Sequence, residues 1–407
     1  MEQRRLGHLD GLRGFAALSV VFAHYVLAFQ PRMYLGTNLT VGAPSFSVAS
    51  WIAQTPLIVV FSPHFAVAIF FVLSGFVLAA SVTVKPATLP ELAVRRWVRL
   101  SGPVVLTTPF VWLWLATAWH PDTTLSGWNH SQWLGMNFAW VAWQANDLDL
   151  AIFQALVDVY ARGNHWWNTS LWTIRIELWG SLALFVAYIP VMRRWSIRRR
   201  WRVVAAVIAA ALAWRNDYAG FAVGAALFEL QPWIFALAAR PGLSWACGPP
   251  LLVLALLLGG TPYSVTRWTP YVPITTWLAP YYGGDSPLLL HRVGAALLVA
   301  VVLFWRPLQA LLTTSVLNFL GRVSFMLYLC HVFLICTMAS WLVLRLMPLV
   351  GYNAACIITL PVLLMVLLVV ARVATRYLDQ PCVMLAHRLG GLFARRWSLR
   401  EANVVDD

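Results

Sequence analysis

Arg13 and His24 stand eleven residues apart in the first apolar run of the chain, Leu9 to Tyr25. In a helix, eleven steps of 100° return to within about 20° of the starting direction over a rise of roughly 16 Å, so both side chains face the same way. That spacing puts Arg13 near one membrane surface and His24 near the middle of the bilayer, where an ionisable group is costly and marks a candidate site. Taken singly, the arginine is equally a positive-inside anchor and the histidine a packed, hydrogen-bonded core residue. A neutral imidazole at that depth can take a proton as general base, or act as a nucleophile.

Other polar residues interrupt apolar runs. Ser74 and Gly75 sit in the middle of the second run, where small residues also serve close helix packing. Glu177 lies about seven residues, or roughly 10 Å, in from the opposite surface. Arg175, two residues earlier, points to a different face of the same helix, so Glu177 needs a partner on another helix. His331 reaches about 13 Å into its run if that run starts near Arg322. By depth, His24, Glu177 and His331 approach one level, which fits one site or three separate buried pairs. Arg95, Arg96 and Arg99 follow the second run, as membrane anchors or as a guanidinium clamp for phosphate oxygens.

The elements that carry these residues must be membrane helices. Of 407 residues, 60% are hydrophobic and 11% charged, a balance that a water-soluble core does not need. The net charge of +14 would suggest nucleic acid in a soluble protein, but the basic residues lie in short clusters between apolar runs. We expect an all-α, polytopic transmembrane bundle of about ten spans, near 11–29, 63–84, 103–119, 170–191, 203–217, 218–239, 244–262, 287–305, 319–344 and 354–376. The fifth and sixth read as a broken helix or a tight hairpin around Arg215, Asn216 and Asp217.

Orientation follows from the loops. Lys85, Arg95, Arg96, Arg99, the Arg193 to Arg202 cluster, Arg240, Arg306, Arg322, Arg388, Arg395 and Arg396 fall on one side, against Arg32, Arg162, Arg215, Arg267 and Arg345 on the other. Both termini are therefore expected in the cytoplasm. Three Asn-x-Ser/Thr sequons, at Asn38, Asn129 and Asn168, fall on the outer side; Asn38 and Asn129 are expected glycan acceptors in a eukaryotic chain, and Asn168 sits too close to the membrane. Residues 120–169 carry six tryptophans and four aspartates and are expected to form one or two short helices as an outer cap, an interfacial belt or one wall of an acceptor cleft. The five cysteines imply neither a disulfide framework nor a zinc site.

Leu9-Asp-Gly-Leu-Arg-Gly14 with His24, Phe71-Val-Leu-Ser-Gly-Phe76, Arg95-Arg-Trp-Val-Arg99, Leu171-Trp-Thr-Ile-Arg-Ile-Glu177, Phe319 to His331 and the closing Arg376-Tyr-Leu-Asp-Gln-Pro381 occur in one order along the chain. In that order the chain resembles the membrane acyltransferase-3 family of integral-membrane O-acyltransferases, from residue 9 to about 381. The resemblance implies a single integral-membrane domain over 1–381, a cytoplasmic tail over 382–407, and a multi-pass protein of the plasma membrane or endomembranes in a eukaryote. It implies transfer of an acyl group, commonly acetyl, from cytoplasmic acyl-CoA to a hydroxyl of a sugar, lipid or secondary metabolite, with no metal and no nucleic acid.

Carried over by residue, the resemblance makes His24 the essential histidine and Arg13 its donor-side companion. Ser74 and Gly75 become the small element near the site. Arg95, Arg96 and Arg99 become the segment meeting the CoA phosphates, and Glu177 and His331 the polar positions of later spans. The family's closing glutamate is Asp379 here, a shorter carboxylate. Two rivals stand beside this reading: a transporter or flippase using the same ionisable residues, whose inverted repeat is not visible, and a scaffold without catalysis, against which intact Arg13 and His24 count.

Overall fold

The computed structural model describes residues 7–31, 33, 51–52, 55–84, 87–117, 119–138, 147–194, 200–201, 203–205, 207–208, 216–262 and 270–405. Among them the ordered backbone is helical. The first helix, α1 (Gly7–Phe29), is the central post of the bundle, with Ala16, Ala17, Val21 and Phe29 wholly buried. It is followed by α2 (Pro63–Val84) and α3 (Leu89–Leu115). The start of α3 is encoded locally: Thr88 accepts a hydrogen bond from the Glu91 amide, satisfying one of the orphan donors of the first turn.

Three short helices, α4 (Pro121–Asn129), α5 (Gln132–Met136) and α6 (Leu148–Phe153), lie over one end of the bundle. Leu125 and Leu134 of this cap are fully buried in a cluster with Phe29, Val111 and Trp114, so the cap is part of the core rather than a loose surface layer. Ser131 hydrogen-bonds the Leu27 carbonyl at 2.8 Å and Asn129 the Ala28 carbonyl at 2.9 Å, tying the cap to the last turn of α1.

The chain then returns through α7 (Trp172–Arg194), led in by a tight turn, Thr169–Leu171, that the Asn168 side chain caps. After a stretch largely outside the described residues come α8 (Ala219–Glu229) and α9 (Gln231–Ala238), which meet at a 60° bend, then α10 (Pro241–Gly259), α11 (Val272–Tyr282) and α12 (Ser286–Phe304). A short α13 (Arg306–Leu312) leads into α14 (Ser315–Leu334), which passes through a widened turn at Ile335–Ala339 into α15 (Ser340–Val350). Finally α16 (Tyr352–Ala374) runs through a second widened turn, Thr375–Asp379, into α17 (Gln380–Val405). The helix continues unbroken through residue 381, so the tail is its extension.

Ten spans were expected. Among the described residues eight helices are long and apolar enough to cross a membrane, or nine if α8 and α9 form one broken span. The difference lies at the fifth and sixth candidates. Most of 203–217 falls outside the described residues, and 218–239 is the bent pair, each half of which is too short to cross ~30 Å of hydrocarbon alone.

Register between helices is set by backbone contact. A Cβ on Gly11 would fall 1.9 Å from the Leu312 carbonyl oxygen, and one on Gly321 2.1 Å from that of Asp10. Glycine is what lets α1 approach α13 and α14 this closely, the close-packing mode expected where lipid supplies no hydrophobic drive between helices.

Candidate functional site

Parallel α1 and α14 bring the two intramembrane histidines into contact. His24 Nδ1 lies 2.7 Å from His331 Nε2, and the rings stack at 4.9 Å between centroids. On its other face the His24 ring stacks on Trp133 of the cap at 5.1 Å and 14°. His331 is fully buried, whereas His24 is only half-buried. The imidazole pair therefore has one accessible member, sandwiched between the cap and its partner.

Hydrogen bonding fixes the protons. His331 Nδ1 is 2.7 Å from the Tyr328 carbonyl, which can only accept, so Nδ1 carries the proton. In the neutral ring Nε2 is then an acceptor, and His24 Nδ1 must donate to it. The lone pair of a neutral His24 is left on Nε2, which has no hydrogen-bond partner among the described residues.

Tyr328, one turn before His331, anchors this level to α7. Its hydroxyl donates to the Ser170 carbonyl at 2.6 Å and lies 2.9 Å from the Thr173 hydroxyl, and the Asn168 amide reaches the Leu329 carbonyl at 2.8 Å. His331 is 16 residues into α14, roughly 24 Å from Ser315, because the helix starts seven residues before Arg322. His24, 17 residues into α1 and five before its end at Phe29, stands at the same height as His331.

A second polar level lies toward the other end. Arg96 forms an ion pair with Glu177, and Ser74 donates to the same carboxylate at 2.9 and 3.2 Å. Glu177 thus finds its partner on other helices, as its position required. Its hydrogen bonds and ion pair go to α2 and α3, one helical turn from Thr173, and it also lies within electrostatic range of Tyr328. Arg13 lies within electrostatic range of Arg96 and is paired with Asp10 at 3.4 Å.

The remaining expected site residues separate. Gly75 faces away from Ser74's partner, toward α8, where a Cβ would fall 2.1 Å from the Phe221 carbonyl oxygen; its place is taken by helix packing. Arg95 pairs with Glu91 at 2.5 Å and covers Gly390, while Arg99 is exposed and within range of Asp379. Arg96, committed to Glu177, lies within electrostatic range of Arg99 and Arg13.

The sequons are also resolved. Asn129 donates from its amide to the Ala28 carbonyl at 2.9 Å and the Tyr352 hydroxyl at 3.0 Å, so a glycan there would compete with the cap's attachment. Asn168 is a buried cap residue, and Asn38 lies outside the described residues. Sequence reasoning missed Tyr328 and Thr173 as site-building residues; a hydroxyl pair inside apolar runs was the available signal.

A stacked, hydrogen-bonded imidazole pair held inside a multi-pass membrane helix bundle defines an intramembrane site of acid–base character. The acyltransferase-3 family model, described as an acyltransferase domain, matches residues 6–372, and the chain belongs to that family. Neither the curated proteins nor the solved structures offer a match to it. The protein is therefore a membrane O-acyltransferase in general terms.

Proposed function

We propose that the protein transfers an acyl group, with acetyl the simplest case, from acyl-CoA to a hydroxyl, and that His24 Nε2 is the general base. The observation that carries this reading is the chain from the Tyr328 carbonyl through His331 to His24, which leaves the lone pair on the accessible ring. The acceptor hydroxyl gives its proton to Nε2 as its oxygen attacks the thioester carbonyl. The tetrahedral adduct collapses with loss of CoA thiolate, which takes the proton back from the imidazolium, so acyl-CoA and alcohol become ester and CoA thiol. While His24 is charged, its Nδ1–H donates to His331, a hydrogen bond strengthened by that charge.

The donor approaches from the end opposite the cap. Arg13 and His24 are about 16 Å apart along α1, a separation suited to an extended pantetheine arm. Arg99 is exposed and Arg95 partly so, which leaves them able to meet the nucleotide phosphates, while Arg96 stays committed to Glu177. With the positive loops of the sequence, this end is assigned to the cytoplasm. The acceptor enters from the capped end or from the bilayer, beside Trp133.

Purified protein in lipid nanodiscs, given acetyl-CoA and an alcohol, should release CoA and form the ester seen by mass spectrometry. His24→Ala should lower that rate by about 10²- to 10⁴-fold, the range for a lost general base. A wild-type-like rate in that variant would remove the proposed base.

A further inference from the structure

A groove of about 250 Å³ runs along the bundle between α2, α8 and α12, away from the imidazole pair. Its walls include Phe71 and the small residues Ala68, Ala219, Gly220, Ala296 and Ala300, which leave a channel beside helices packed closely at Gly224. From Arg292 to Ala300 it follows α12 for roughly 12 Å. The volume lies below the ~300–1,000 Å³ of pockets for drug-sized ligands and suits one aliphatic segment.

One end of this apolar channel is charged. Arg292 donates from both Nε and Nη2 to Oδ1 of Asp217, at 3.1 and 2.7 Å. Asp217 Oδ2 accepts no hydrogen bond among the described residues. An unengaged carboxylate oxygen on the partly exposed Asp217, whose Arg292 partner is largely buried, calls for a hydroxyl donor and repels a phosphate. His64, in the first turn of α2, bridges toward the site: it lies within electrostatic range of Asp217 and Arg292 on one side and of His24 on the other. Behind it His291 stacks at 6.2 Å and is fixed by donating to the Thr261 carbonyl at 2.7 Å. His64 thus lies within electrostatic range of both the groove's charged end and His24.

We infer that the acceptor is a hydroxylated single-chain amphiphile whose aliphatic chain lies in this groove and whose hydroxylated head passes Asp217 and His64 to reach His24. Its role as acceptor rests on the transfer reaction proposed above; occupancy of the groove does not.

The test uses hexyl, octyl, decyl and dodecyl glucosides as probes, with full-length protein in nanodiscs and native mass spectrometry counting bound molecules. Wild type and Ala296→Phe, which fills the channel, are compared at each chain length. The wild-type to variant affinity ratio should grow from about one with hexyl glucoside to tenfold or more with dodecyl glucoside, as buried methylenes are lost. Ala296→Ser, of nearly unchanged volume, should bind like wild type and guards against misfolding. His24→Ala should bind dodecyl glucoside as wild type does while forming ester at a rate about 10²- to 10⁴-fold lower, which separates failure of the groove from failure of the chemistry. A ratio independent of chain length overturns the inference. So does equal binding of dodecylphosphocholine, which lacks a hydroxyl and would make the groove a resting place for ordinary bilayer lipid.

Discussion

Replacing His331 by Ala tests whether the two imidazoles act as a unit. In the folded protein His331 Nε2 accepts the proton of His24 Nδ1 at 2.7 Å, and no other partner for that proton exists among the described residues. When His24 becomes charged, this hydrogen bond is charge-assisted, worth about 1.5–3 kcal/mol. At 1.36 kcal/mol per decade, its loss should lower kcat by roughly 10- to 150-fold, with the KM for acetyl-CoA unchanged because the donor's phosphates do not meet this level. His331→Gln keeps an acceptor oxygen within reach of His24 and should recover part of the rate. The decisive variant carries both His24→Ala and His331→Ala. If His331 works only through His24, the double variant loses no more than His24→Ala alone, since residues acting as a unit are non-additive. Rates would be read as CoA release under saturating donor, with monodisperse elution and thermal unfolding confirming the fold. Multiplied losses in the double variant, or a wild-type kcat in His331→Ala, would refute the relay.

The second polar level should respond as a buried ion pair. Glu177→Ala leaves Arg96 uncompensated and should cost about 3–5 kcal/mol, while adding Arg96→Met should recover much of it; thermal unfolding of the two variants checks this, and equal instability would show that the pair is not what the carboxylate supports. Gly321→Ala puts a methyl group 2.1 Å from the Asp10 carbonyl oxygen, so α1 and α14 must part. A cost of about 1–3 kcal/mol and a fall in turnover are expected although the residue touches no ligand, and unchanged turnover would mean that the histidine contact tolerates the shift. In the cap, burial raises the carboxyl of Asp122 from 3.8 to about 6, and Oδ1 has no hydrogen-bond partner. The folded cap therefore binds the proton more tightly than the unfolded one. Its stability is full below about pH 4 and falls as pH rises toward 6, by roughly 2–4 kcal/mol in all. Hydrogen exchange of residues 121–136, corrected for intrinsic rates, should show the cap opening more readily at pH 7 than at pH 5, and Asp122→Asn should abolish the difference.

How much of this was legible in the sequence depends on what periodicity encodes. Helical spacing fixes which face a residue occupies, so Arg13 and His24 were correctly placed on one side of α1, and Glu177 was correctly required to find a partner off its own helix. The same periodicity explains why the neighbours Ser74 and Gly75 part company: consecutive residues diverge by 100°, and one meets Glu177 while the other meets Phe221. Height is a different matter. Whether His331 meets His24 or passes a turn above it depends on the register of α1 against α14, and no property of either histidine sets that. The register is held by Gly11, Gly14 and Gly321, each with another backbone lying where its Cβ would be. A slip of one helical turn is about 5.4 Å, twice the 2.7 Å separation of the ring nitrogens, and would break the contact outright. The proton's position on His24 is therefore decided jointly by a carbonyl at Tyr328, which selects the tautomer, and by three glycines one to two turns from the other end of the bundle, which bring the selected nitrogen to its partner.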